Sequence, residues 1–289
     1  MSSLSGNADE LPSGSSHENF AHADPMIIPF TKAHGAHNDF LLTWRRDMPH
    51  DAVDLVGVAR AICHRHTGIG ADGWLLVEER NGKEAHAAIR LWNSDGSTSP
   101  ISGNGTRCAA AFVIDASHVA DVMRIETGAG VKDLCLLERT EREFVFEMNM
   151  GAARIDEALA SVHGRDAVIL DIGNPQCAVF VDNFDFDWPS AGAAIERDPR
   201  FPDRTNVSFI RVLDGHTLDV RFFERGAGVT MSSGTGATGA AAAAAARGLL
   251  SGPMEVRTSA GPLRLRWQGD EILLAGPAEI IGSGEFYLR

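Results

Sequence analysis

Two serines open the stretches of this chain whose residue types and spacing are best suited to chemistry. Ser102 leads Ser-Gly-Asn-Gly towards the apolar run Cys108 to Ile114, and Ser233 leads Ser-Gly-Thr-Gly-Ala into the alanine-rich run Ala240 to Ala246, which stops at Arg247-Gly248. Each reads as the start of a buried helix, the second with a glycine cap at its end. The first N–H groups of a helix have no intrahelical partner, and the positive end of its dipole favours a carboxylate or a phosphate. Glycines at 103, 105, 234 and 236 let such an anion approach the backbone. Each stretch is thus an anion cradle with a hydroxyl at its lip.

The two cradles are 131 positions apart, Ser102 to Ser233, and Asn93 and Glu224 stand at the same interval. Self-similarity of that length implies two duplicated halves, and two helix starts facing one cleft would hold one small anionic substrate between two hydroxyls. The elements that must position them repeat as well. Ala87 to Trp92 is a strand delivering the chain to the turn Asn93 to Ser97, and Leu218 to Phe223 alternates cleanly before Glu224-Arg225. Asp54 to His64 has helical periodicity, Ala191 to Arg197 is a short helix, and 122–126, 133–137 and 143–148 are short strands. Strands are also expected at 25–30, 41–44, 167–172 and 177–181, with the polar stretch Thr31 to Phe40 as a loop. After the second helix come four short strands, 254–257, 263–267, 272–274 and 278–281. This is an α+β pattern in which each half is a small curved sheet around a helix.

Composition excludes several classes. A formal net charge of −13 opposes the basic field that nucleic-acid binding needs. Cys63, Cys108, Cys135 and Cys177 lack disulfide-scaffold spacing and read as reduced thiols. Met1 to Asp24 is polar, has no signal-peptide pattern, and reads as a flexible tail; no apolar run reaches the length of a membrane span. A cytoplasmic protein follows from this reading. His34 with His37, and Cys63 with His64 and His66, lack a third ligand at a telling spacing, so no metal is expected. Gly68 to Gly73 lacks the Gly-Lys-Ser/Thr ending of a phosphate loop. Gly234-Thr235-Gly236-Ala237-Thr238-Gly239 fits the dinucleotide fingerprint but does not follow a buried parallel strand, and neither serine has the glycine pattern of a hydrolase nucleophile.

A set of ordered motifs carries a resemblance. Phe30-Thr31-Lys32-x-His34-Gly35-x-x-Asn38-Asp39-Phe40, Arg65-His66-x-Gly68-Ile69-Gly70-Ala71-Asp72-Gly73, Asn93-x-Asp95-Gly96-Ser97, Ser102-Gly103-Asn104-Gly105-x-Arg107-Cys108, Gly173-Asn174-Pro175, Phe201-Pro202-x-x-Thr205-Asn206-Val207 and Glu224-Arg225-Gly226-x-Gly228-x-Thr230 together resemble the diaminopimelate epimerase family. The resemblance covers nearly everything from Pro25 onward. It implies two pseudo-symmetric domains, 26–147 and 148–277, each a curved sheet or barrel wrapped around a central helix, with 278–289 returning to the first and residues 1–25 as a tail. It further implies a pyridoxal-phosphate-independent isomerase with no cofactor and a small amino-acid substrate; a homodimer is expected, and the composition leaves no membrane or nucleic-acid partner.

That family inverts an α-carbon with two cysteines, one removing the proton and the other returning one from the opposite face. The positions matching them are Ser102 and Ser233. By resemblance the substrate's distal end lies on Asn93, Asn206, Glu224 and Arg225, with Asn38 and Asn174 nearby, and the reacting carboxylate on the N–H groups of Gly103, Asn104, Gly234 and Thr235. Gln176 stands where the family usually has His. Three explanations for the serines remain open: an engineered Cys→Ser pair, a naturally altered isomerase using another base, and a non-catalytic ligand-binding homologue. A racemase of a related amino acid, such as O-ureidoserine, is the alternative activity. A serine hydroxyl without a neighbouring base should abstract a carbon-bound proton poorly, so changing either serine alone to cysteine should not suffice for inversion.

Overall fold

The computed structural model of the protein describes residues 26–48, 54–80, 82, 84–117 and 122–288. The polar stretch 1–25, read from sequence as a tail, lies outside the described residues. The first half runs through β1 (Met26–Gly35), β2 (Asn38–Trp44), α1 (Leu55–Cys63), β3 (Gly73–Glu79), β4 (Ala87–Asn93) and the short β5 (Thr98–Ser99) into α2 (Gly103–Ser117). It continues with β6 (Val122–Thr127), β7 (Gly130–Arg139) and β8 (Glu143–Ala152). The second half has β9 (Arg154–Val162), β10 (Arg165–Asp171), β11 (Pro175–Phe180), α3 (Trp188–Glu196), β12 (Asn206–Asp214), β13 (Thr217–Glu224) and β14 (Gly228–Thr230) before α4 (Gly234–Ala246). Then follow β15 (Met254–Thr258), β16 (Gly261–Gln268) and β17 (Glu271–Leu288).

The architecture is α+β, with each half a curved sheet around a central helix. In the first, α2 buries Cys108 to Ile114 against Leu42, Leu75, Ile89, Leu91, Phe144 and Phe146. In the second, α4 buries Ala240 to Ala244 against Leu170, Ile210, Val220, Phe222, Leu263 and Leu274. A run of alanines suits this position because a narrow helix surrounded by strands leaves little room for larger side chains. Outer clusters sit behind each sheet, under α1 in the first half and α3 in the second.

The repeat is visible in individual hydrogen bonds. The Thr127 hydroxyl donates to the Gly130 carbonyl at 2.7 Å and accepts from Ala129 N at 3.1 Å; Thr258 does the same with Gly261 and Ala260 at the same distances. Both crossovers are also repeated: β2 pairs parallel to β3 with α1 between them, and β11 pairs parallel to β12 with α3 between them. The halves join through β17, which pairs with β16 and β8 along its first part and with β1 from Glu279 onward.

Three details depart from the sequence reading. The polar stretch 31–40 is not a loop: β1 and β2 pair from Thr31↔Leu42 to Gly35↔Asn38, and only Ala36 and His37, at φ 50° and 60°, make the turn. A two-residue turn with both central φ values positive matches the twist of paired strands, so polar residues are carried into the ladder. β9 was not foreseen, because most of its residues are exposed and it shows no apolar alternation; pairing with β10 holds it. The two strands expected at 272–274 and 278–281 are one, running through Pro277. Pairing with β16 ends at Ala275 and pairing with β1 begins at Glu279, so the missing proline N–H costs no ladder bond between them.

Candidate active site

Strand parity aims the chemistry. On β13, Leu218, Val220 and Phe222 face α4, and period two places Glu224 on that same face. On β4, Ala87, Ile89 and Leu91 face α2, and Asn93 follows them. The chain then turns back so that a serine caps each helix. Ser233 Oγ accepts from Gly236 N at 3.0 Å, and Ser102 Oγ accepts from Gly105 N at 3.1 Å. These caps satisfy one N–H each and leave the first N–H groups of the two helices available to an anion. Gly236 is required by packing: a Cβ there would meet the Phe222 ring at 2.7 Å.

The two helix starts lie over one strand. A Cβ on Gly103 would sit 3.6 Å from Met148 Cε, and one on Gly234 3.9 Å from Met150 Cε. Met148 and Met150 are two positions apart on β8, roughly 7 Å along a strand. One amino-acid headgroup can therefore reach both cradles. α2 and α4 themselves touch.

The hydroxyls are not equivalent. Ser233 is buried, 4 % exposed, and donates to Glu224 Oε1 at 2.6 Å. Burial pushes the Glu224 carboxyl above its ordinary pKa, against the opposing pull of the Ser233 and Thr230 hydroxyls. Ser102 is half-buried, and among the described residues no carboxyl group hydrogen-bonds to it. The sequence reading left both serines without a base; the fold gives one to Ser233.

The remaining residues named from sequence fall into two groups. In the first half Asn104 Nδ2 donates to Asn38 Oδ1 at 3.3 Å, and Asn38 Nδ2 donates to Asp72 at 2.7 Å. Asn93 Nδ2 donates to Ser97 Oγ at 2.9 Å. In the second half Gln176 Nε2 donates to Asn174 Oδ1 at 2.8 Å, and Asn174 Nδ2 lies 3.4 Å from the Thr235 hydroxyl. Gln176 Oε1 is buried without a partner among the described residues. Asn206 spans two loops, donating to the Pro175 carbonyl and accepting from Arg225 N at 3.0 Å. The Arg225 side chain is exposed and donates to the Asp203 carbonyl.

Two residues were missed. Arg107, in α2, is fully buried; it donates to Pro277 O at 3.0 Å and Asn104 Oδ1 at 2.5 Å, while Nη1 has no partner among the described residues and lies beside Gly103. Burial pushes its guanidinium down to about 10, so it is charged at neutral pH. Its signal was a lone charge inside an apolar helix. The second is Glu196, at the end of α3, which carried no signal in sequence. Its buried carboxylate pairs with Arg204 and accepts from Gly226 N at 3.0 Å, tying together the loops that carry Asn206 and Arg225.

Burial alone would raise the Glu196 pKa, but Arg204 and the Gly226 N–H outweigh it and the net shift is downward. A depressed carboxylate pKa stabilises the fold above its unfolded pKa, near 4.5, and that stability is lost as pH falls through the folded value. Glu196→Gln should therefore unfold more easily at pH 7 by about 1.5–3 kcal/mol. The deficit should shrink below pH 4.5, as urea titrations at both pH values would record.

Of the histidines weighed as metal ligands, His34 Nε2 lies 3.2 Å from Glu279 and His64 Nδ1 contacts the Thr67 hydroxyl at 2.8 Å. A cavity of about 650 Å³ lies elsewhere in the second half, lined by Arg165, Phe180, Arg211 and Arg247 among others, and includes none of the site residues.

A family model described as diaminopimelate epimerase matches residues 30–155 and 168–281. The chain belongs to the diaminopimelate epimerase family. A protein of that name from Pelotomaculum thermopropionicum is 36 % identical over 279 residues, covering 90 % of this chain and 99 % of its own. Another from Moorella thermoacetica is 35 % identical over 281 residues, with coverage of 90 % and 99 %. Among solved structures, a phenazine biosynthesis protein of the PhzF family from Bacillus anthracis superposes with a TM-score of 0.69 at 15 % identity, covering 90 % of this chain and 98 % of that one. A hydroxyproline epimerase from Agrobacterium vitis gives 0.68 at 14 % identity, covering 90 % and 91 %. At such identities these two establish the fold alone.

The family is one of isomerases, and this chain is of that class. Three of its four thiols are too deeply placed to substitute for the serines. Cys63, Cys108 and Cys177 are buried, and burial pushes each thiol up to about 12, where it neither ionises nor meets a substrate. Among the described residues no helix is long and apolar enough to cross a membrane.

Proposed function

We propose that the chain binds an amino acid with its α-carboxylate across the N-termini of α2 and α4 and transfers a proton at the α-carbon without a cofactor, on diaminopimelate or a related amino acid such as O-ureidoserine. The observation that carries this reading is the pair of capped helix starts set side by side over β8. Gly103, Asn104, Gly234 and Thr235 offer N–H groups to the reacting carboxylate, where a preorganised donor set stabilises the charge that develops as the α-proton leaves. Asn93, Asn206 and Arg225 take the distal end, with Asn38 and Asn174 at the edges, while Glu224, which the resemblance also places at the distal end, is turned to Ser233 at the reacting end. Pairing of the last ten residues of β17 with β1 supports domain limits of 26–147 and 148–277, with 278–289 returning to the first.

Arg225 is the group suited to a distal carboxylate, since a guanidinium binds one bidentately and among the described residues this side chain is held by one exposed carbonyl contact. Arg225→Ala should weaken diaminopimelate binding by about 2–5 kcal/mol, measured by calorimetric titration, with a much smaller effect on an amino acid lacking the second carboxylate. Equal affinity of the variant for every dicarboxylic ligand would remove Arg225 from the site. A non-catalytic ligand-binding role is the second reading, favoured by the absence of a thiol at both capping positions.

A further inference from the structure

The repeat sets different chemistry at one position of the two halves. Asn93 ends β4 and Glu224 ends β13, 131 positions later, and each precedes its capping serine by nine residues. Glu224 Oε1 accepts from the Ser233 hydroxyl at 2.6 Å. Asn93 is an amide with no proton to gain at neutral pH, and its Nδ2 is turned to Ser97. Ser102 is left as a cap alone. A hydroxyl has one proton and two lone pairs. Ser233 gives its proton to Glu224 and one lone pair to Gly236 N, and its second lone pair is available to a ligand at the helix start.

We propose that Glu224 is the sole proton acceptor of the cleft, drawing the α-proton through Ser233 Oγ, so that the proton leaves and returns on one face of the α-carbon. The inference rests on the amino-acid reading given above. The Cα–H bond breaks as a new Oγ–H bond forms, and the hydroxyl's original proton passes to Glu224 Oε1. The electron pair left on Cα delocalises into the carboxylate, and the resulting enediolate lies on the N–H groups of the two helix starts. In this scheme Glu224 passes the acquired proton to water before the steps reverse. No oxidant or second reactant is needed. The consequence is exchange of the α-proton with retention of configuration that outpaces inversion.

The test uses the full chain with LL- and meso-diaminopimelate, O-ureidoserine and histidine in deuterated water. Proton NMR follows α-exchange, chiral chromatography follows configuration, and calorimetry follows binding. At least one ligand should exchange its α-proton at least tenfold faster than it inverts, with a rate that rises through one ionisation above the ordinary carboxylate range. Glu224→Gln should lose exchange by roughly 100-fold or more and lose that pH dependence, whereas a variant harmed only in structure would keep the profile at lower amplitude. Ser233→Ala should also lose exchange. Inversion as fast as exchange, exchange that persists in Glu224→Gln, or bound ligand that never exchanges would each overturn the one-face assignment while leaving the amino-acid site standing. Failure of every amino acid to bind would overturn both.

Discussion

Replacing Ser102 and Ser233 together by cysteine is expected to raise α-carbon inversion by roughly 10²–10⁴-fold, the contribution usual for a well-placed acid–base pair. Inversion requires removal of a proton from one face and delivery to the other. A hydroxyl cannot ionise near neutrality, whereas a thiol at a helix N-terminus can. The caps are already built: each serine accepts from the third N–H of its helix, and a thiolate there would gain the same donors and the same dipole. Chiral chromatography of diaminopimelate and O-ureidoserine with the double variant measures the effect, and alkylation of the introduced thiols should abolish it. The single variants should differ. Ser102→Cys supplies a base to the half that has none and leaves the Ser233–Glu224 contact in place, so it should invert faster than Ser233→Cys. A double-thiol variant that binds these amino acids yet stays inert would mark the scaffold as a binding protein.

That difference between the single variants was not visible in sequence. The repeat of 131 positions was, and it located both helix starts, both capping serines and the pairing of Asn93 with Glu224. It did not show that Glu224 reaches Ser233, because eight intervening residues form β14 and its turns, and only the folded path returns the serine to the carboxylate. The cores were legible because Cys108 to Ile114 and Ala240 to Ala246 are apolar on all sides and must be surrounded. The hairpin of β1 and β2 was not, because its register places polar side chains in the ladder and two non-glycine residues at positive φ. Glu196 was hidden for a related reason: its partners, Arg204 and Gly226, lie in loops whose approach depends on the packing of α3 against β12 and β13.

Arg107 should prove to be the electrostatic floor of the first cradle. A guanidinium removed entirely from water and facing no carboxylate among the described residues is costly to hold. Its contacts are the Pro277 carbonyl on β17 and the side chain of Asn104, so it both pins the strand that joins the halves and fixes the residue whose N–H is proposed for the carboxylate. Its unpartnered Nη1 beside Gly103 leaves a positive charge directly behind the helix start. A carboxylate bound across Gly103 and Asn104 would be the missing counter-charge, and its attraction is strengthened by low-dielectric surroundings. Arg107→Met fills similar volume without charge or donors. It should lower stability by about 1–3 kcal/mol for each of the two acceptors it orphans, measured by urea denaturation. It should also weaken amino-acid binding in a charge-specific way: calorimetry should show a large loss for the free carboxylate and little change for the corresponding amino-acid amide, because only the carboxylate senses the buried charge. Equal loss for acid and amide would instead show that Arg107 acts through the position of Asn104 alone, and unchanged affinity for both would confine it to holding β17.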